Sequence, residues 1–241
     1  VAAAGDMTPV RIHMVNTGEV ARAEVQTPGG RVRYTGDTAI DGVPGTAAPI
    51  PLLFQNIAGS MCGSLLPTGR ARDVIDGVDC TLIDNGMPVV ILRATDFGLT
   101  GQETCDQIEA MDQVKVRIER IRLQAGALMG LGDVSEASVP KMTLVSAPLY
   151  GGAINTRSFI PKRVHASVGV FAAISVATAC LLPESPAAEL ALVPGDGRFA
   201  IEHPSGATEV FLDIDTDLTV RGAGSNRTAR KLMDGLVFPR P

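Results

Sequence analysis

The chain has 241 residues, a formal net charge of −5, 45% hydrophobic residues and 20% charged residues, the usual composition of a globular protein. A pI near 5.2 and the absence of a run of lysines and arginines exclude the basic face that nucleic-acid binding needs. The longest apolar run, His165 to Leu182, is shorter than a membrane span and contains serine and threonine, so we expect no membrane partner either.

The amino-terminal part carries strand patterns. Val10 to Met14 and Ala21 to Val25 alternate apolar and polar residues around Asn16-Thr17-Gly18, which predicts a β-hairpin. A third strand is predicted at Arg31 to Tyr34 after a Pro-Gly-Gly turn, and the proline and glycine content of Asp41 to Pro51 predicts an extended linker. Three strands are too few for an independent core, so residues 1–48 are interpreted as an incomplete first domain.

A second domain is predicted over residues 49–222. Leu52 to Phe54 is a short apolar run, Asp79 to Ile83 and Met87 to Ala94 read as strands, and Asn85-Gly86 between these two is a strong hairpin signal. The Asn-Gly pair has a purely structural interpretation as a turn.

One long amphipathic helix is predicted between Thr100 and Gly130, with Asp112 as a possible N-cap. Its apolar stripe comprises Val114, Ile118, Ile121, Ala125 and Leu128, and Lys115, Arg117, Glu119, Arg120 and Arg122 are interpreted as a solvated face.

A buried central helix is predicted over residues 165–182, because this stretch is apolar on nearly every side and rich in small residues. Strands are predicted around it at Met142 to Ala147, Ile154 to Ile160, Phe199 to Glu202, Glu209 to Ile214 and Leu218 to Arg221. A C-terminal segment, residues 223–241, follows with a short helix at Thr228 to Met233 and a last strand at Leu236 to Phe238. The pattern is that of an α+β fold and lacks the strand–helix alternation of a Rossmann sheet.

The central helix follows a stretch without acidic residues. From Ala137 to Pro183 there is no Asp or Glu, whereas Lys141, Arg157, Lys162, Arg163 and His165 all lie within it. Since a helix start favours a bound anion, this window predicts an anion pocket at the mouth of the helix, suited to a carboxylate. The alternative is a solvated basic loop, and the residues alone leave both interpretations open.

The cysteines and the first residues of the chain indicate the cellular location. The four cysteines, Cys62, Cys80, Cys105 and Cys180, form no CxxC pair, and no His/Cys group has the spacing of a zinc site. We therefore predict free thiols, no metal site and a cytoplasmic protein. No basic-then-apolar secretory signal is present. The first residue is Val1, which indicates a fragment.

Several stretches resemble one known family. LIDNGMPVV, VPKM, INTRSFIPKRVHASVGVFAAISVATACL, EHPSG and RTARKLMDG are similar to segments of the PrpF family, over essentially the whole chain, and most of all to its 4-oxalomesaconate tautomerase branch. The resemblance implies a diaminopimelate-epimerase-like fold of two domains, each with strands round a central helix. The C-terminal segment would then return to the first domain.

The resemblance also implies an activity. Such a protein would be a cofactor-independent isomerase that moves a proton in an unsaturated keto acid of gallate or protocatechuate breakdown. Substrate-binding residues would be Asn85, Gly86, Thr156, Arg157, Ser158, Ala166, Ser167 and Val168. His165 is a candidate catalytic residue, although a lone histidine is more often structural.

Two departures from the family matter. Its members carry a stretch ahead of the position of Val1, with a cysteine and a lysine linked to proton transfer, so the resemblance implies an amino-terminal truncation and an inactive fragment. His165-Ala166-Ser167 also lacks the thiol of two-base relatives. Open alternatives are an aconitate or methylitaconate isomerase, and a non-catalytic carboxylate-binding fragment. The partner we expect is a small carboxylate, with a homodimer left open.

Overall fold

One twelve-stranded sheet dominates the computed structural model, which describes residues 1–15, 18–215 and 220–238. Its strands are β1 Met7–His13, β2 Val20–Gln26, β5 Ile50–Phe54, β6 Asp73–Ile75, β7 Val78–Asp84, β8 Pro88–Arg93, β9 Lys141–Ser146, β10 Ile154–Phe159, β11 Val164–His165, β12 Arg198–His203, β13 Gly206–Ile214 and β14 Val220–Arg227. A separate two-stranded sheet pairs β3 Thr38–Ile40 with β4 Val43–Ala47.

The strand order of the large sheet is β1-β2-β5-β14-β13-β12-β10-β9-β8-β7-β6, with β11 paired to β10. Neighbours are antiparallel except β8 with β9 and β10 with β12, which are parallel. The β7–β8 hairpin, with Asn85 and Gly86 in its turn, confirms the prediction from the Asn-Gly pair. The residues 16–17 of the first predicted turn and 218–219 of a predicted strand lie outside the described residues.

Among the described residues, three helices join the strands: α1 Cys105–Glu109, α2 Asp112–Leu128 and α3 Val170–Ala179. Short 3₁₀ turns occur at Pro28–Gly30 and Ala94–Phe97. None of the helices in the described part of the chain has the length and hydropathy needed to cross a membrane.

The helix α3 lies in the centre of the main core. Its residues from Ala172 to Ala179 are all buried, and it packs against β7, β8, β12, β13 and β14, so the sheet curves round it. Small residues on every side of the helix let these strands approach it closely. The predicted α+β fold with strands round a buried helix is confirmed, although the helix is shorter than residues 165–182.

The helix α2 covers the opposite face of the sheet. Ile118, Ile121 and Ala125 pack in a second cluster with residues of β7, β8 and β9. The predicted single helix from Thr100 is two helices, because Thr104 starts α1 with a capping box and α2 begins only after Met111. Asp112 is thus the first residue of α2 and not its N-cap.

Arg122 corrects the prediction of a fully solvated charged face on α2. Its side chain is completely buried, pairs with Glu119, and donates to the carbonyl oxygens of Val134, Ala137 and Val139. A guanidinium with this many acceptors tolerates burial because its N–H groups stay hydrogen-bonded.

The segment between β2 and β5 differs from the prediction. Residues 31–34 form no strand, and the predicted linker over residues 41–51 contains β4 and the start of β5. Gly42, with a φ of 80°, forms the turn from β3 to β4, so glycines that indicated a linker instead build a hairpin.

The sheet is continuous across the predicted domain boundaries. β5 pairs with β2 on one side and with β14 on the other, so strands on either side of residue 48 share one sheet. The division into residues 1–48, 49–222 and 223–241 remains a prediction. After β14, residues 228–238 form neither the predicted helix nor the predicted strand, and residues 229–238 are exposed.

Candidate active site at the amino end of the central helix

The start of α3 differs from the predicted start at His165. Val164 and His165 pair with β10 as the short strand β11, Ala166 to Val168 form a connection, and Gly169 is the N-cap in an extended conformation. No side chain caps the helix, so the N–H groups of its first turn lack the partner that a cap would supply. The amino end of α3, where the anion pocket was predicted, therefore lies at Val170 to Ala172, after the predicted residues 166–168.

A small cavity of about 130 Å³ opens at this end of the helix. It is lined by Met87, Lys141, Ser158, Ile160, Val168, Gly169, Val170, Phe171 and Ala172. Apart from the Lys141 amine and the Ser158 hydroxyl, its side chains are apolar. The atoms that line the cavity are almost all apolar, so the polar atoms of Lys141, Ser158 and the helix start contribute almost nothing to its wall.

Lys141 is the only basic side chain that lines this cavity. It is the first residue of β9, is 9% exposed, and its pKa is lowered by burial and further by the charge of Arg122. Lys141 lies in the acid-free window, but it was not among the predicted site residues. The absence of acidic residues around it and its VPKM context were the available signals.

Of the predicted substrate-binding residues, Ser158 and Val168 line the cavity. The Ser158 hydroxyl lies 3.2 Å from the Thr143 hydroxyl on the neighbouring strand, which fixes its side chain on the α3 face of the sheet. Val168 is buried below the connection, and the Thr208 hydroxyl donates to its carbonyl oxygen at 3.4 Å.

Ala166 and Ser167 lie beside the cavity on the exposed surface. The carbonyl oxygen of Ala166 accepts hydrogen bonds from the Ser205 hydroxyl at 2.7 Å and from the Ser205 N–H at 3.0 Å. The turn between β12 and β13 therefore holds the connection that leads into α3. His165 is exposed, and it does not line the cavity.

Gly86 supports the cavity from behind. A Cβ at this position would lie 2.7 Å from Cδ1 of Phe171, which lines the cavity, and the φ of Gly86 is 85°. Only glycine combines this backbone conformation with such a close approach to the ring. Gly86 thus sets the position of Phe171 and contributes no polar group to the site.

Asn85 lies away from the cavity, and it contacts the middle of α3 from the β7–β8 turn. Its side-chain amide donates to the Thr178 hydroxyl at 2.8 Å, and its backbone N–H donates to the Ser175 hydroxyl at 3.1 Å. Ser175 in turn donates to the carbonyl oxygen of Met87 at 2.8 Å. Asn85 thus joins the hairpin turn to α3, and its contact with substrate stays a prediction.

Asp84, the residue before Asn85, anchors the loop that contains Met61 and Cys62. Asp84 is fully buried, and its Oδ2 accepts hydrogen bonds from the N–H groups of Met61 and Cys62 at 2.7 and 2.8 Å. Burial raises the pKa of Asp84, against the lowering effect of these N–H groups. Burial, together with the charge of Asp84, raises the pKa of the Cys62 thiol to about 12, so this thiol is protonated at neutral pH.

Arg157 lies on the opposite face of the sheet from the cavity. Its Nε donates to the carbonyl oxygen of Glu103 at 2.7 Å, and its Nη1 donates to Oδ1 of Asn155 at 3.0 Å and to the carbonyl oxygen of Thr156 at 2.8 Å. Successive side chains on a strand point to opposite faces, and Arg157 follows the face of Asn155. The prediction that Arg157 joins the helix start in one anion pocket is therefore wrong.

Arg157 instead lines a separate cavity of about 270 Å³. Its other lining residues are Gln102, Glu103, Thr104, Cys105, Tyr150, Asn155, His203 and Pro204. Burial lowers the pKa of Arg157 in these surroundings. Thr156 is on the α3 face, but its hydroxyl donates to the carbonyl oxygen of Glu202 at 2.7 Å and joins β10 to β12.

The remaining cations of the acid-free window favour the solvated-loop alternative. Lys162 and Arg163 are exposed, and Lys162 lies 3.7 Å from Oε1 of Glu119. Of the predicted basic cluster, only Lys141 reaches the cavity. Within the described ranges, no group of three or more His, Cys, Asp and Glu side chains is arranged to hold a metal ion.

The whole chain is similar to proteins of known family. The sequence profile of the PrpF protein family matches residues 1–240. The (4E)-oxalomesaconate Delta-isomerase of Novosphingobium sp. is 58% identical over 240 residues, which are 99% of this chain and 67% of that protein. The 4-oxalomesaconate tautomerase of Pseudomonas putida is 56% identical over 239 residues, 98% of this chain and 66% of that protein.

A solved structure gives the same picture of the fold. The crystal structure of a methylitaconate-delta-isomerase matches with a TM-score of 0.89 at 29% identity, over 98% of this chain and 67% of that chain. This chain therefore spans about two thirds of the length of these relatives. These matches do not bear out the predicted truncation.

Proposed function

Because this chain belongs to the PrpF family, we propose that it is a cofactor-independent isomerase that moves a proton within 4-oxalomesaconate, an unsaturated keto acid. The observation that carries the proposal is the identity of 58% and 56% to two relatives named for that acid. The reaction moves one proton and involves no net redox change, so it requires neither an electron carrier nor an activating group.

The amino end of α3 supplies one of the elements that such a reaction needs, fixed donors for an oxyanion. When a proton leaves a carbon conjugated with a carbonyl group, negative charge passes to the oxygen, and fixed donors lower the energy of that oxyanion. The uncapped N–H groups of Val170 to Ala172 carry the positive end of the helix dipole. The apolar lining strengthens their effect because it lowers the local dielectric constant.

A second candidate activity is favoured by the solved structure. A fold match at a TM-score of 0.89 to a methylitaconate-delta-isomerase makes methylitaconate, or an aconitate, the alternative substrate. The 2-methyl-aconitate isomerase of Shewanella oneidensis is 31% identical to this chain over 267 aligned positions. These acids share the carboxylates and the carbon–carbon double bond of the first candidate, so the same cavity suits them.

The test follows the ultraviolet absorbance of 4-oxalomesaconate, whose keto and enol forms differ, with and without this chain. Faster interconversion supports the proposal, and inertness towards this acid with turnover of methylitaconate or aconitate transfers the assignment to the second candidate. If the chain binds these acids without converting any of them, the non-catalytic carboxylate-binding alternative holds. His165→Ala tests the predicted catalytic histidine, and its exposed position predicts little change in rate.

The free thiols support a proposal for the cellular location. All four cysteines are free, and free thiols persist in the reducing cytoplasm. We propose a cytoplasmic location, a small carboxylate as the partner and a homodimer as the candidate assembly. Fractionation of the source cells and size-exclusion chromatography test these two assignments.

A further inference from the structure

Cys105 differs from the other three cysteines in its surroundings. Cys80 and Cys180 are buried in the two hydrophobic clusters. The Cys62 thiol lies beside the buried carboxylate of Asp84. Cys105 is half-buried at the first position of α1, and it lines the cavity of about 270 Å³ on the face of the sheet away from α3. Since reactive thiols are partly exposed and lie in electropositive surroundings, whereas buried thiols are inert, Cys105 is the candidate for a reactive cysteine.

A buried arginine lines the same cavity. Arg157 is 6% exposed, and it has no ion-pair partner within the described ranges. Its Nε and Nη1 donate to Glu103, Asn155 and Thr156, whereas its Nη2 has no acceptor among these residues. Nη2 is not one of the buried polar atoms that are closed off from solvent. It therefore faces the cavity, where its N–H groups are available to a ligand.

The Cys105 sulfur lies within electrostatic reach of the guanidinium group. Burial lowers the pKa of Arg157, and negative charge on Cys105 is the strongest of the charges that oppose this lowering. Glu103 and Glu202 act in the same direction but less strongly. Backbone N–H groups hold both carboxylates, and neither pairs with Arg157 in the described part of the chain. A negative charge that forms on the sulfur is thus close to a cation that has no counter-ion.

We propose that Cys105 is a peroxide-reactive thiol, and that Nη2 of Arg157 binds the oxygen atoms of hydrogen peroxide and then the oxygen of the sulfenic acid that forms. The thiol loses its proton to solvent, and the thiolate sulfur attacks one oxygen of the peroxide. The O–O bond breaks and an S–O bond forms. The second oxygen leaves as hydroxide and takes up a proton to become water. The sulfur is oxidised by two electrons, and the peroxide is reduced by the same two electrons.

The position of Nη2 suits this step. Negative charge develops on the leaving oxygen as the O–O bond breaks, and a fixed donor beside that oxygen lowers the energy of the transition state. The hydrogen bonds of Nε and Nη1 fix the guanidinium group before a ligand arrives. More of the cavity wall is polar than apolar, so a small polar molecule such as hydrogen peroxide is accommodated there.

The cavity holds no partner for a disulfide bond. A sulfenic acid condenses with a second thiol where one lies nearby. Cys105 is the only cysteine that lines this cavity, and the two cysteines of the hydrophobic clusters are enclosed elsewhere in the described chain. The oxidised form of Cys105 is therefore a sulfenic acid hydrogen-bonded to Arg157. This inference does not depend on the reaction proposed above.

The test measures which thiol of the folded chain is oxidised. The chain is treated with hydrogen peroxide in the presence of dimedone, which traps sulfenic acids, and mass spectrometry of peptides quantifies the adduct at each cysteine. We expect about tenfold more adduct at Cys105 than at any other cysteine of the folded chain, and similar amounts at all four in urea. Equal labelling of the four cysteines in the folded chain, or no adduct at Cys105, overturns the proposal.

The contribution of Arg157 is tested with Arg157→Gln, which removes the charge and keeps a side-chain N–H donor. Arg163→Gln is the matched control, because it removes an exposed arginine that does not line the cavity. The rate of adduct formation at Cys105 should fall by about tenfold in Arg157→Gln and stay unchanged in Arg163→Gln. The same rate in both variants would show that Arg157 has no part in the oxidation.

A second measurement needs no variant of Arg157, in case Arg157→Gln does not fold. Iodoacetate carries a negative charge and iodoacetamide is neutral, and both alkylate the sulfur of a thiolate. The guanidinium group attracts the charged reagent, so the ratio of the iodoacetate rate to the iodoacetamide rate at Cys105 should be higher in the folded wild-type chain than in urea. An equal or lower ratio in the folded chain overturns the assignment of Nη2 to this site.

Discussion

Arg157 and Ser158 are adjacent in sequence, yet their side chains lie on opposite faces of the sheet. Arg157 donates to the carbonyl oxygen of Glu103 near α1, whereas Ser158 lines the cavity at the start of α3. The alternation of side chains along β10 imposes this separation. The two residues therefore have different roles, although both belong to the segment that most resembles the PrpF family.

Replacing Arg157 is expected to lower stability more than substrate affinity. Arg157→Ala leaves the carbonyl oxygens of Glu103 and Thr156 and the Oδ1 atom of Asn155 without their donor, which costs about 2–4 kcal/mol. Urea unfolding of the variant measures the loss. Arg163→Ala, which removes an exposed arginine, is expected to change stability by about 0.5 kcal/mol or less. A large rise in the KM of the folded Arg157 variant would contradict the position of Arg157 on the face of the sheet away from α3.

Removing the charge of Lys141 is expected to stabilise the chain in the absence of ligand. The folded-state pKa of Lys141 is below the usual 10.5, so the folded protein binds this proton less tightly than the unfolded chain does. The charged form therefore destabilises the fold at neutral and lower pH, and this effect disappears as the pH rises towards 10.5. Lys141→Met should melt at a higher temperature than the wild type at pH 7.

The pH dependence gives a second readout for Lys141. The difference in melting temperature between Lys141→Met and the wild type should narrow as the pH approaches 10.5. Calorimetry between pH 7 and pH 10 measures this change. A difference that stays constant over that range would mean that packing, and not the charge, sets the stability at this position.

Asp84 is expected to affect stability with pH in the acidic range. Burial raises its folded-state pKa above 3.8, so the folded state holds this proton more tightly than the unfolded chain does. Its contribution to stability is thus present at low pH and is lost as the pH rises from 3.8 through the folded-state pKa. In Asp84→Asn this loss is absent, and the slope of stability against pH changes accordingly.

The test for Asp84 compares how the stability of two proteins changes with pH, and not their stability at one pH. Thermal unfolding of the wild type and of Asp84→Asn is recorded from pH 3 to pH 7, with Asp196→Asn on an exposed turn as the control. The gap between Asp84→Asn and the wild type should move in favour of the variant as the pH rises. Parallel curves for the two proteins would show that Asp84 has the same pKa in both states.

A methyl group at Gly86 is expected to disturb both the fold and the cavity. Gly77→Ala is the matched control, because Gly77 has a φ of 72° with open space around it, and it should cost only the backbone strain of about 1–2 kcal/mol. Gly86→Ala has the same strain and also places its Cβ against Phe171, which adds about 1–3 kcal/mol of overpacking. Urea unfolding of both variants measures the difference, and equal losses for Gly86→Ala and Gly77→Ala would show that the Phe171 ring moves aside without cost.

The features that could be predicted from sequence are those with a strong local signal. The Asn85-Gly86 turn sits between two apolar runs and gives the β7–β8 hairpin, and the apolar, small-residue composition of α3 gives its burial. The start of α3 could not be found in the same way. Val164 and His165 are held by pairing with β10, a contact that the composition of the segment does not reveal.

The prediction of site residues failed where the sequence has no apolar–polar alternation. Asn155, Thr156, Arg157 and Ser158 are all polar, so apolar–polar alternation could not show which of them faces α3. Lys141 was missed for a related reason. That its amine has no counter-ion depends on β9, β10 and α3 packing together, and these elements come from separate parts of the chain.

The pairing of β5 with β14 bears on how the chain folds. It joins Ile50–Phe54 to a strand that ends at Arg227, so the two partners come from near opposite ends of the sequence. Loop closure over this distance loses more entropy than formation of the local hairpins, and folding slows as such distant pairings increase. During synthesis, β5 therefore keeps one edge unpaired until β14 has left the ribosome, and an unpaired edge favours aggregation during that interval.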